Sequence, residues 1–133
     1  MLYVSAGAIT DGRKILCVQK GKSKYDYLSN RYEFPGGKVE NGETPKDALV
    51  RELKEEMDAD ISGAEIRHIG DYEYTYPDFS VHLHVFLVTV SSFHFTLKEH
   101  TSSVWLQPER LLELDWVAAD RMILGDLQRC LNE

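Results

Sequence analysis

FPGGKVENGETPKDALVRELKEEMDA, Phe34 to Ala59, decides how this chain folds. It divides into a glycine-rich loop and a helix. Pro35, Gly36, Gly37 and Gly42 punctuate the first half, so an extended segment must turn there and a ligand can approach the backbone closely. Thr44 suits a helix N-cap, Pro45 the first helical position, and Asp47, three residues after the cap, approximates a capping box. Nothing interrupts the pattern from Pro45 to about Met57. At about 100° per residue, Leu49, Val50, Leu53 and Met57 share the side that such a helix would bury.

Beside that face lie Glu52, Glu55 and Glu56. Their spacing of i, i+3 and i+4 puts three carboxylates on one arc, with small Ala48 one turn back leaving room above them. Like charges one turn apart cost about 0.2–0.5 kcal/mol per pair, and anions in the C-terminal half of a helix also oppose its dipole. Local helix stability therefore does not account for the cluster. Arg51 can shield only one edge, and Lys54 points the other way. From the residues alone two readings stand: a solvated acidic face, or a site for a hard divalent cation, magnesium with manganese as substitute.

Outward from this stretch, 133 residues suit one domain, 1–133. No apolar run approaches membrane-spanning length, and the N-terminus lacks a basic start, a long apolar stretch and a small-residue cleavage site, so a cytoplasmic location is expected. Cys17 and Cys130, far apart in sequence, are expected to be reduced. A net charge of −7 opposes binding to a nucleic-acid polymer or an anionic membrane, both of which are bound through excess Lys and Arg. A free nucleotide stays compatible, because metal ions can screen its phosphates.

Leu2 to Thr10 reads as a strand, Asp11-Gly12 as a hairpin turn and Lys14 to Lys20 as the returning strand. In the polar segment Gly21 to Arg31, Tyr25 and Tyr27 either stack on a base or cover the sheet edge. Ile66 to Tyr76 and Val81 to Val90 form a long antiparallel hairpin around Pro77-Asp78-Phe79-Ser80. His82 and His84 share one face of it. They read as surface, as polar pocket lining or as a zinc pair, the last without a third soft ligand nearby in sequence. Lys98-Glu99-His100 sits in a loop before a short strand at Val104-Trp105-Leu106. A helix starts at Pro108 and runs to about Leu114, and another spans about Ala119 to Leu131. There is no internal repeat or linker.

Read as Gly37, five residues, Glu43, seven residues, then Arg51-Glu52-Leu53-x-Glu55-Glu56, the central stretch resembles the signature of the Nudix hydrolases, whose loop–helix–loop binds magnesium and a diphosphate. The family pattern continues with Gly and a bulky aliphatic, where this chain has Asp58 and Ala59. Gly there would cap the helix in a left-handed conformation, which Asp tolerates better than most residues. Within the family the chain is similar to the MutT-type nucleoside triphosphate pyrophosphohydrolases, including those acting on cytidine nucleotides. That likeness extends over nearly the whole chain. It includes EFPGGKVE and GETP before the helix, Tyr76-Pro77-Asp78, Glu99 six residues before Trp105, and Asp115 to Asp120 before the last helix.

The resemblance implies an α/β fold, an α/β/α sandwich around a central mixed β-sheet. It further implies that Glu52, Glu55, Glu56 and Glu99, with the Gly36 carbonyl, hold magnesium, and that Glu43 and Arg51 form a supporting pair. Lys38 would face phosphate, and Lys20, Phe34, Asp78 and Asp120 would line the base pocket. Glu52 would also position or deprotonate water, with Glu99 a rival base. The implied reaction is attack at the β-phosphorus of a nucleoside triphosphate such as 8-oxo-dGTP, CTP or a modified dCTP, releasing nucleoside monophosphate and pyrophosphate. Phe79 stands where MutT has a basic residue, so base preference does not carry over. Hydrolysis of a linked nucleoside diphosphate such as ADP-ribose is the alternative within the family. A nucleotide-binding module without turnover is the alternative outside enzymes, and the presence of all the acids opposes it. Oligomeric state is left open.

Overall fold

Strand β1 (Leu2–Thr10) is the axis of a mixed sheet, and residues 1–132 are described by the computed structural model. Along one edge β1 pairs in parallel with β6 (Ser80–Thr89), from Leu2 opposite Val81 to Thr10 opposite Thr89. Its other edge is shared by two antiparallel partners. Strand β4 (Gly36–Lys38) runs against Val4 to Ala6, and β2 (Ile15–Gln19) turns back at Thr10. Beyond β2 lie β3 (Tyr32–Glu33) and β7 (Ser102–Leu106), and β5 (Glu65–Thr75) closes the far edge against β6.

Alternation along β6 sorts its residues between two cores. Val81, Leu83, Val85 and Leu87 face a cluster containing Leu111, Trp116, Ile123, Leu124 and Leu127. Phe86 and Val88 face Leu49, Leu53 and Met57 of helix α1 (Pro45–Met57). Each of those three α1 side chains is fully buried, a contribution of about 1.5–3 kcal/mol apiece. The second face is covered by a 3-10 helix (Pro108–Glu113), α2 (Ala118–Arg121) and α3 (Leu124–Leu131). Helices on both faces of a mixed sheet give the expected α/β/α layering.

Helix α1 begins and ends where its sequence indicates. The Thr44 hydroxyl accepts the Asp47 N–H at 3.1 Å, and Pro45 occupies the first turn. At the other end Asp58 takes the left-handed conformation (φ 52°, ψ 31°), and the Asp58 and Ala59 N–H groups close onto the Lys54 and Leu53 carbonyls. Lys98 ties this cap to the loop carrying Glu99. Its Nζ lies 2.8 Å from Asp58 Oδ1 and 3.4 Å from the Glu55 carbonyl.

Three elements differ from expectation. Gly36 to Lys38 pairs with β1 instead of simply turning, because a Cβ at Gly36 would lie 1.9 Å from the Ser5 carbonyl oxygen and only glycine lets the backbones approach so closely. The helix expected from Pro108 is a 3-10 turn ending at Glu113. The last helix is broken into α2 and α3, where the Ile123 N–H bonds back only three residues to the Asp120 carbonyl. Cys17 and Cys130 are both free, and burial pushes the Cys17 thiol up to about 12. Among the described residues no helix is long and apolar enough to cross a membrane.

Candidate active site

A cavity of about 540 Å³ opens where β4 crosses in front of α1. One end is acidic, with Glu52 and Glu56 from α1 and Glu99 from the loop between β6 and β7, beside Gly36 and Gly37. The other end is aromatic and apolar, with Phe34, Tyr76, Phe79, Val81 and Leu83 around a single buried acid, Asp120. Lys20 and Lys38 also reach the cavity.

The acidic end is assembled by backbone and guanidinium. A Cβ added at Gly37 would lie 2.3 Å from Glu52 Cδ and 2.4 Å from its Oε2, so the Glu52 carboxylate rests against bare glycine backbone. Arg51 fixes the neighbouring acids from behind. It grips Glu43 through Nε (2.7 Å) and Nη2 (3.0 Å), and donates from Nη1 to Glu52 (3.0 Å) and Glu55 (3.1 Å). Its Nη2 also reaches the Lys38 carbonyl at 3.0 Å, joining helix to β4. These bonds hold the Glu43 carboxyl down at about 2, with Arg51 the largest cause and the Glu40 N–H the next. The same contacts hold the Arg51 guanidinium more firmly protonated than usual.

Glu56 has no such partner. Burial, a hydrogen bond shared with Glu52, and the charges of Glu99, Glu52 and Glu33 push its carboxyl up to about 8. Glu56, whose surroundings oppose its ionisation, stands beside Glu52 and Glu99, and such crowded oxygen donors fit a hard divalent cation.

At the other end the Phe34 N–H donates to Asp120 Oδ2 at 2.8 Å. Burial first, then the charge of Glu33, push the Asp120 carboxyl up to about 8 against the opposing pull of the Phe34 N–H and Lys20. The Phe34 ring packs on Trp116 at 4.7 Å between centroids, and the Tyr76 hydroxyl accepts the Ala119 N–H at 2.9 Å. Strand, aromatic cluster and α2 are thereby locked around Asp120.

The sequence-expected residues therefore separate. Gly36, Glu52, Glu56, Glu99, Lys20, Lys38, Phe34 and Asp120 line one cavity. Glu55 and Arg51 lie behind it, and the Glu55 carboxylate is 60% exposed and turned to Arg51. Asp78 lies outside the lining and accepts the Tyr27 hydroxyl at 2.7 Å. Tyr27 stacks between Tyr25 and Tyr76, at 5.3 Å from each. The turn Tyr76-Pro77-Asp78-Phe79 thus gives the cavity its aromatic rings instead of its acid.

Sequence reasoning missed Glu33 and His100. His100 Nε2 lies 2.9 Å from Glu33 Oε2, and both residues line the cavity. The other ring nitrogen, Nδ1, is buried and unpartnered. Adjacency to Glu99 and to Phe34 was the available signal.

The sequence matches the family described as NUDIX domain over residues 1–127. It is 34% identical over 126 residues to a CTP pyrophosphohydrolase of Escherichia coli, covering 93% of this chain and 89% of the relative. It is equally 34% identical over 128 residues to an 8-oxo-dGTP diphosphatase of the same organism, covering 96% and 97%. Among solved structures, that of the E. coli ORF135 protein superimposes with a TM-score of 0.80 at 32% identity, covering 97% of this chain and 89% of the other.

Proposed function

The chain belongs to the NUDIX family, and on that premise we propose that it is a magnesium-dependent hydrolase converting a (deoxy)nucleoside triphosphate to nucleoside monophosphate and pyrophosphate. The reaction class is the cleavage of phosphorus anhydride bonds, and the two E. coli relatives carry the names of such enzymes. Nucleotide-pool sanitation, with 8-oxo-dGTP, CTP or a modified dCTP as substrate, is the corresponding role. The observation that carries this reading is the polarity of the cavity. Three clustered carboxylates at one end suit the cation–diphosphate part of a nucleotide, and rings around a buried Asp at the other suit a base.

Magnesium, or manganese in its place, would be held by Glu52, Glu56 and Glu99 with the Gly36 carbonyl, and would supply phosphate charge neutralisation and acidified water. Glu55 would join that set only by leaving Arg51. Arg51 keeps Glu52 in one orientation through its 3.0 Å bond while neutralising Glu43. Glu52, pressed against Gly37, takes the proton of the attacking water, with Glu99 its competitor. Lys38 and Lys20 offer positive charge to phosphate oxygens. The apolar walls from Val81, Leu83 and Phe79 exclude water around the base. Asp120 spends Oδ2 on Phe34 and keeps Oδ1 for the substrate.

A panel of 8-oxo-dGTP, dGTP, CTP, 5-methyl-dCTP and ADP-ribose with magnesium tests this reading. Pyrophosphate and monophosphate should form from at least one triphosphate, and Glu52→Gln should lower that turnover by about two orders of magnitude or more while the protein stays folded. Turnover of ADP-ribose alone, or full activity of the variant, would overturn it.

A further inference from the structure

A second group of side chains with metal-ligating atoms lies away from the cavity, on the hairpin of β5 and β6. Strand β6 puts His82, His84 and Phe86 on the α1 face, opposite to Val81 and Leu83 of the cavity wall. Across the ladder Asp71 pairs with His84, and Glu73 with His82. Strict alternation would send His68 to the other face from Asp71. The register shifts by one residue between His68 and Gly70, and this β-bulge returns His68 to the face of Asp71 and His84.

The result is a carboxylate ringed by imidazoles. His68 Nε2 lies 2.8 Å and His84 Nδ1 3.0 Å from the same oxygen, Asp71 Oδ1. His82 Nε2 is 3.8 Å from Oδ2, while its Nδ1 is held by Glu73 at 3.1 Å. The His68 ring rests edge-on against Phe86, and the His82 ring lies 4.6 Å from that of His84. One donor atom each from His68, Asp71 and His84 falls within 4.8 Å of the other two.

We propose that His68, His84 and Asp71 form a surface site for one borderline divalent transition ion, zinc above all, with His82 the nearest further ligand. Two imidazoles and a carboxylate are a donor set that zinc accepts and that hard magnesium does not favour. Ligands at about 2.0–2.1 Å on a tetrahedral zinc stand about 3.3–3.4 Å apart, so the two contacts to Asp71 need to open by about half an ångström, and the two imidazole nitrogens already stand within 4.8 Å of each other. On binding, each ring carries its hydrogen on the outward nitrogen. Asp71 and His68 are about half exposed, which leaves an entry path and room for a water in the open position. Such an ion would pin β5 to β6 across the bulge and stiffen the strand whose opposite face walls the cavity. The chain would then carry two cation sites of different chemistry, and this one does not depend on the acids of α1.

The test exploits that difference. In excess magnesium, the full-length protein is titrated with cobalt(II), followed by its visible d–d absorption, and then with zinc. The expected result is one equivalent of low-coordinate cobalt displaced by zinc, preserved in Glu52→Gln/Glu56→Gln and abolished in His68→Ala/His84→Ala. Asp71→Asn, which retains the shape of the cluster, should weaken binding as well and covers the case of a misfolded double variant. Absence of saturable binding, binding that survives loss of the histidines, or binding lost with the α1 acids would overturn the proposal.

Discussion

Gly37→Ala isolates the geometry of the carboxylate site without removing any functional group. The added Cβ would stand 2.3 Å from Glu52 Cδ, where ordinary contact begins at about 3.4 Å, so the carboxylate must retreat by about 1 Å. The obstructing atoms are the end of a flexible side chain, and no left-handed backbone is required of Gly37. Stability should therefore change by less than about 1 kcal/mol. Activity should not be spared, because a displacement of about 1 Å at a reacting group costs on the order of 10²-fold. The bond from Arg51 to Glu52 blocks an easy compensating rotation. Steady-state pyrophosphate release with magnesium, beside thermal unfolding, measures both quantities. A variant with wild-type kcat/KM would refute the placement of Glu52 at the reaction centre. Gly36→Ala makes the contrast, since its Cβ meets the Ser5 backbone at 1.9 Å and should unfold the β1–β4 pairing.

Three further outcomes are expected. Glu56 is raised in the folded state from its ordinary 4.5 to about 8, so its stabilising contribution is complete below about pH 4.5 and fades as pH rises through about 8. In metal-free buffer Glu56→Gln should gain melting temperature over wild type across that window, and magnesium added to wild type should close the gap; a pH-independent difference would count against the crowding. Asp120→Ala leaves the buried Phe34 N–H without an acceptor and should cost about 1–3 kcal/mol, whereas Asp120→Asn keeps the acceptor and should alter preference among bases with little loss of stability, checked by denaturation and by kcat/KM ratios across nucleotides. Asp58→Gly relieves a left-handed Asp but frees Lys98, so stability should move by less than about 1 kcal/mol, while half-maximal magnesium rises by up to about fivefold, the equivalent of an exposed ion pair.

What was legible in the sequence was local. Thr44, Pro45 and the 3.6-residue spacing define α1, and i, i+3, i+4 places Glu52 and Glu56 together, because each signal lies within one or two turns. Even the substituted cap was readable, since Asp58 adopts the left-handed conformation that glycine would take. The unread parts depend on contacts distant in sequence. Strand β4 consists of Gly36, Gly37 and Lys38 and carries no side-chain alternation, so only its fit against Ser5 and Ala6 reveals it. The bond from Phe34 to Asp120 spans 86 positions, and the one from His100 to Glu33 spans 67. His82 and His84 lacked a third ligand in sequence because His68 joins them only through a bulge that no local pattern announces. Asp78 was expected in the pocket, but Tyr27 draws it outward and leaves Tyr76 and Phe79 facing in.

The most direct measurement is product analysis in ¹⁸O-water, with magnesium and a triphosphate from the panel, for wild type and Glu56→Gln side by side. Expected are monophosphate and pyrophosphate in equal amounts, the label in pyrophosphate, and near-complete loss of both products in the variant. Release of orthophosphate or label in the monophosphate would contradict attack at the β-phosphorus, and equal rates for the two proteins would contradict hydrolysis at this site.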